Sequence, residues 1–96
     1  MNGSYNKRVD ANQKEIVKAL KEHGWDSIDL HALGGGVPDI LAVRRTGYNW
    51  DDGWNMQLIE VKSEKGTYTK AEKEFMEKYP GLVTTIRSKE DVDGLG

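Results

Sequence analysis

The sequence predicts an α/β fold in which helices flank a mixed central sheet, in the order helix, three strands, helix, strand. Three observations carry that reading. Two stretches have apolar residues at helical spacing, each opened by a capping pattern and closed by glycine or proline. Three short apolar runs with turn residues around them lie between the two. A further apolar run, Leu82–Ile86, follows the second helix. At 96 residues the chain is expected to form one domain, residues 1–96. A domain of this size buries only roughly 60–65% of its unfolded surface, so the core is thin. With 31% charged residues, the composition fits a small soluble protein that gains stability by dimerising.

The first helix is expected from Asp10. Asp10 with Gln13 three residues on makes a capping box, Ile16, Val17 and Leu20 supply the apolar face, and Gly24 ends it. Asn12, Glu15 and Ala19 form a neighbouring strip. Trp25 to Leu33 is a strand candidate, with Ile28 and Leu30 alternating with Ser27, Asp29 and His31. His31 on the polar side reads more simply as solvated than as a ligand. Gly34-Gly35-Gly36 is not a P-loop, because Val37-Pro38-Asp39 and a strand follow where Lys-Ser or Lys-Thr and a helix are required. The glycines suit a tight turn or a ligand's close approach to the backbone. Asp39 to Arg44 is apolar on both faces and should be a central strand.

Thr46 to Asn55 is a turn region with Tyr48, Trp50 and Trp54 interleaved. Three readings stay open for these aromatics: a flap over the core, base stacking, or a dimer contact. Met56 to Ser63 is the third strand, joined to the second by a hairpin. Thr69 and Glu72 make a second capping box, Ala71, Phe75, Met76 and Tyr79 give the helix an apolar face, and Pro80-Gly81 stop it. Ser88 is placed to cap a short terminal helix through Leu95.

Composition closes several routes. Without cysteine there is no disulfide framework, thiolate metal site or cysteine nucleophile. No run nears the roughly 18 apolar residues of a membrane span, and residues 1–6 lack the apolar core of a signal peptide. A soluble, cytoplasmic protein without a membrane partner is expected. A net charge of −2 speaks against binding DNA by charge alone. It speaks less against a nuclease whose carboxylates hold cations.

The chemistry gathers around Leu58-Ile59-Glu60-Val61-Lys62. Ile59 and Val61 point one way; Leu58, Glu60 and Lys62 point the other. Glu60 and Lys62 either satisfy each other as an ion pair or face a polar site. The hairpin shifts the balance toward a polar site, since antiparallel pairing brings Asp39 to the sheet end that holds Glu60 and Lys62. Asp39 and Glu60 are hard oxygen ligands suited to Mg²⁺ or Mn²⁺, and the Val61 carbonyl lies nearby. Lys62 is placed to offset charge on a phosphate. Two carboxylates, a lysine and a metal suffice for phosphodiester hydrolysis, and no Ser-His-Asp set competes.

Pro38-Asp39 followed by Glu60-Val61-Lys62 resembles the PD-(D/E)xK nuclease signature. Val9-Asp10-Ala11-Asn12-Gln13 with Glu15-Ile16-Val17, then Gly36-Val37-Pro38-Asp39-Ile40-Leu41, then Leu58 to Lys62, resemble the VRR-NUC family. The likeness runs from about Arg8 to Ser88. It implies a restriction-endonuclease-like core of order αβββαβ. It also implies that Asp39, Glu60 and the Val61 carbonyl bind metal, that Lys62 is the catalytic lysine, and that Glu15, the first-helix acid, reaches the metal directly or through water. A glutamine often sits in the second helix of relatives; here Glu72 stands there. Stand-alone members include small phage proteins and resemble homodimeric junction resolvases. The resemblance therefore implies a Mg²⁺- or Mn²⁺-dependent DNA endonuclease acting on branched or structured DNA such as four-way (Holliday) junctions, in a phage or bacterial host cell. The rivals are a non-catalytic nucleic-acid- or protein-binding module that keeps the fold, and a purely structural Glu60–Lys62 pair.

Overall fold

The computed structural model describes residues 3–47 and 53–95, with residues 3–11 described by their backbone alone. Helix α1 (Gly3–Glu22) leads into β1 (Asp26–Asp29), a 3-10 turn (His31–Leu33), β2 (Ile40–Arg45) and β3 (Trp54–Val61). Helix α2 (Lys70–Lys78), β4 (Val83–Ile86) and a carboxy-terminal 3-10 segment (Lys89–Leu95) follow. The strands form one mixed sheet in the order β1-β2-β3-β4, antiparallel except for the parallel β3–β4 pair. The expected order and the interior place of β2 are both present. No helix among the described residues is long and apolar enough to cross a membrane.

Several boundaries differ from expectation, each for a local reason. Helix α1 begins at Gly3 rather than Asp10; no proline or glycine between them breaks it, so the capping pattern falls inside a continuous helix. β1 stops at Asp29 because the Asp29 Oδ1 accepts the His31 amide at 2.8 Å, which turns the chain into the 3-10 segment. Trp54 belongs to β3, opposite Arg45, whose guanidinium lies 5.6 Å from its ring centroid. Tyr48 and Trp50 lie outside the described residues. The last segment is 3-10 rather than α, and Asp91 rather than Ser88 supplies its side-chain acceptor, Oδ2 taking the Arg87 and Ser88 amides.

The second capping box forms as the sequence predicts. The Thr69 hydroxyl accepts from the Glu72 amide and Glu72 Oε1 accepts from the Thr69 amide. Gly36 is what lets this helix dock. Its φ is +82°, and a Cβ there would stand 2.2 Å from the Ala71 carbonyl oxygen. The close approach made through the glycine run at Gly36 is thus by the first turn of α2.

Period-two alternation sets the core. Ile40, Ala42, Ile59, Val61 and Ile86 meet Ile16, Ala19 and Leu20 of α1, with Trp25 and Val92 completing the cluster. Fully burying each of the isoleucine, leucine and valine side chains stabilises the fold by about 1.5–3 kcal/mol. This packing holds α1 and the end of β3 in fixed relation, and that end is where the polar residues gather.

Candidate active site

Register places Asp39 beside Glu60. Ile40 pairs with Ile59, so the residue just before β2 meets the residue just after Ile59. The Asp39 Oδ2 accepts the Val61 amide at 2.8 Å, which leaves its other oxygen uncommitted to that bond. In a strand a residue's N–H and C=O point to the same edge. The Val61 carbonyl therefore faces the Asp39 side, beyond the first paired residue of β2.

An open cavity of about 480 Å³ occupies this end of the sheet, lined by Asn12, Gln13, Asp29, His31, Asp39, Glu60, Val61, Lys62, Ser63, Gly66, Thr67 and Glu72. It brings together Asp39, Glu60, Val61 and Lys62. Glu15 is exposed on α1 and is not among the lining residues; Asn12 and Gln13 are what α1 presents there. Asn12 Nδ2 donates to the Lys62 carbonyl at 3.2 Å, tying helix to strand.

Glu60 is only 3% exposed. Burial above all, then the Asp39 charge and the neighbouring Glu72 carboxyl, push its carboxyl up to about 8 against the opposing pull of Lys62. Lys62 Nζ donates to Glu72 Oε1 at 2.7 Å and lies 3.6 Å from Glu60 Oε2. Burial alone would lower the Lys62 pKa, but the Glu72 bond and charge, with Glu60, raise it. Glu72 moves the other way: burial favours its neutral form, yet Lys62 and the Thr69 amide hold it below the usual carboxylate range. The closer partner of Lys62 is therefore Glu72, not its strand neighbour.

The donor set fits a hard divalent cation. Two carboxylates meet at one mouth, one of them buried and destabilised as an anion by the other, and an incoming positive charge relieves that repulsion. Among the described residues, no group of three His, Cys, Asp or Glu side chains is arranged to hold a metal. A cation here would thus draw on Asp39, Glu60 and the Val61 carbonyl, with water filling the remaining positions.

Sequence reasoning missed two supports. Glu72 was legible as a cap but not as the anchor of Lys62, because that contact depends on how α2 docks against Gly36. Arg87 Nη1 donates to the carbonyls of Ser63 and Gly66 at 2.8 Å and of Glu64 at 3.3 Å, fixing the turn that forms the cavity rim. Nothing local around Arg87 signals this. His31 is exposed and lines the cavity.

Compared with family models, the chain matches the VRR-NUC domain over residues 3–81. No curated protein and no solved structure matches it.

Proposed function

The chain belongs to the VRR-NUC family, a family of nuclease type, and from that premise we propose a single-domain, metal-dependent DNA endonuclease that hydrolyses phosphodiester bonds in branched or structured DNA such as four-way junctions. The observation that carries the reading is the convergence of Asp39, Glu60 and Lys62 on one cavity at one end of the sheet.

Asp39, Glu60 and the Val61 carbonyl are the proposed holders of Mg²⁺ or Mn²⁺. Such an ion, when bound, polarises a phosphoryl oxygen and lowers the pKa of water. The Val61 amide orients the Asp39 carboxylate. Lys62 is held cationic by Glu72, so it serves as a fixed positive charge for the developing phosphate charge rather than as a proton acceptor. For Glu15, which is exposed and outside the cavity lining, the only support for a part in holding the metal, directly or through water, is the family resemblance. A homodimer with one such site per protomer would cut two strands.

The test is cleavage of single-stranded, duplex, flap and four-way DNA with Mg²⁺, with Mn²⁺ and with EDTA. Metal-dependent cutting with preference for the branched substrates is expected. If Asp39→Asn or Lys62→Ala cuts as fast as the parent, the site assignment is wrong.

A further inference from the structure

Lys14, Lys18 and Lys21 recur at intervals of four and three residues, which stacks them on one face of α1. All three are exposed. With Gln13, Val17 and Asp29 they line a shallow groove of about 440 Å³ between α1 and β1. Gln13 and Asp29 also line the active-site cavity, so the groove and the cavity adjoin. Among the described residues the three lysines take part in no ion pair. Asp29, the one acid among the groove's lining residues, already accepts the His31 amide. In a chain of net charge −2, three lysines against the single Asp29 carboxylate leave the groove beside the candidate site locally positive.

Their spacing suits a phosphate backbone. A rise of 1.5 Å per residue separates the Lys14 and Lys21 positions by about 10 Å along the helix. Phosphates on one strand of a duplex recur about every 3.4 Å along its axis, so the strip spans roughly three of them. We propose that Lys14, Lys18 and Lys21 form the track that holds the DNA backbone as it leaves the active-site cavity. The proposal rests on the nuclease reading and deepens it. Such contacts position the substrate and carry no base information. Val17 and the lysine stems supply an apolar floor under the charged heads.

The experiment compares the full chain with the triple variant Lys14→Ala, Lys18→Ala, Lys21→Ala. Binding of a fluorescent four-way junction and of a matching duplex is followed by anisotropy in EDTA between about 50 and 200 mM salt. Cleavage is measured separately with Mn²⁺. The expected result is a salt slope shallower by about 0.9 for each lysine engaged, hence by roughly two to three in the triple variant. KM should rise at least about tenfold with kcat little changed, the signature of lost uniform binding. The triple Lys→Arg variant should restore both. Circular dichroism checks that the exposed substitutions leave the fold intact. A triple variant elsewhere, Lys73→Ala, Lys78→Ala, Lys89→Ala, removes the same charge.

A slope unchanged in the first triple variant, or lowered equally in the second, overturns the track. Because binding is read without metal, the two readings fail separately. A chain whose slope falls only in the first variant, yet which cuts nothing with Mg²⁺ or Mn²⁺, supports the track and sinks the nuclease reading.

Discussion

Lys62 meets Glu72 at 2.7 Å, and His23 meets Asp93 at the same 2.7 Å. The first pair has side chains 14% and 18% exposed; the second has side chains 40% and 71% exposed. Distance is equal and surroundings are not. Around Lys62, a third group, Glu60, is buried deeply enough that its carboxyl is pushed up to about 8. Around His23, solvent screens whatever the carboxylate offers. Contact length therefore says little about what a charged pair does to the molecule; the water removed around it decides.

The contrast breaks most sharply on catalysis. Asp39→Asn and Lys62→Ala are each expected to slow cleavage by about 10²–10³-fold, the usual cost of removing a fixed electrostatic group from a site. Asp93→Asn should cut within about twofold of the parent, because it touches neither cavity nor sheet end. Single-turnover rates on one junction substrate check all three. Equal losses in the three variants would erase the distinction between the clusters.

The next effect is on stability, and its sign follows from Glu60. The folded carboxyl titrates near 8 while the unfolded one titrates near 4.5. Between those values the native state binds the proton that the unfolded state has released, so stability falls as pH rises. Above about 8 the penalty is complete. Glu60→Gln should consequently stabilise the metal-free protein by a few kcal/mol at pH 8, with the gain shrinking toward pH 4.5. Lys62 and Glu72 do not cancel this trend inside the window. The raised Lys62 pKa gives stability lost only as pH rises through that pKa, and the lowered Glu72 pKa gives stability lost only as pH falls. Urea unfolding in EDTA at several pH values measures the effect. Added Mn²⁺ should raise the parent's unfolding midpoint and leave that of Glu60→Gln nearly unmoved.

The sequence made this cluster only half legible. Strand alternation and a hairpin put Asp39, Glu60 and Lys62 at one end of the sheet, because both signals are local and periodic. Ile16 and Leu20 of α1, and Ile59 and Val61 of β3, were readable as core faces for the same reason. What escaped depends on docking. Glu72 reaches Lys62 only because Gly36 admits the first turn of α2, and Arg87 reaches the rim turn across more than twenty residues of chain. The start of α1 was misplaced because a capping pattern marks a permitted helix start, not a required one.

A smaller test separates the two duties of Glu72. Its Oε1 accepts from both the Thr69 amide and Lys62. Glu72→Gln keeps an acceptor for each but removes the charge, so kcat should fall about tenfold, the order of one charge-assisted hydrogen bond. Stability should change little. Glu72→Ala also removes the reciprocal half of the capping box and should cost about 1 kcal/mol of stability as well. If Gln and Ala lower kcat and stability alike, Glu72 acts through the helix alone and Lys62 does not depend on its charge.

The smallest effect belongs to the exposed pair and shows where its perturbation comes from. The His23 pKa is raised first by the hydrogen bond from its Nδ1 to the Ala19 carbonyl, at 2.9 Å; desolvation opposes this, and Asp93 raises the pKa by less than either. A raised histidine pKa favours folding below the unfolded value, and that contribution disappears as pH rises through the folded value. Asp93→Asn removes the carboxylate and keeps the backbone acceptor. The His23 ring should then titrate lower than in the parent by NMR, yet still above its ordinary value, and by linkage the urea midpoint should fall slightly at pH values below the unfolded pKa and match the parent's above the folded one. A pKa that falls all the way to the ordinary value would mean that Asp93 holds the proton after all. In that case the exposed pair would resemble the buried one more closely than its solvent exposure allows.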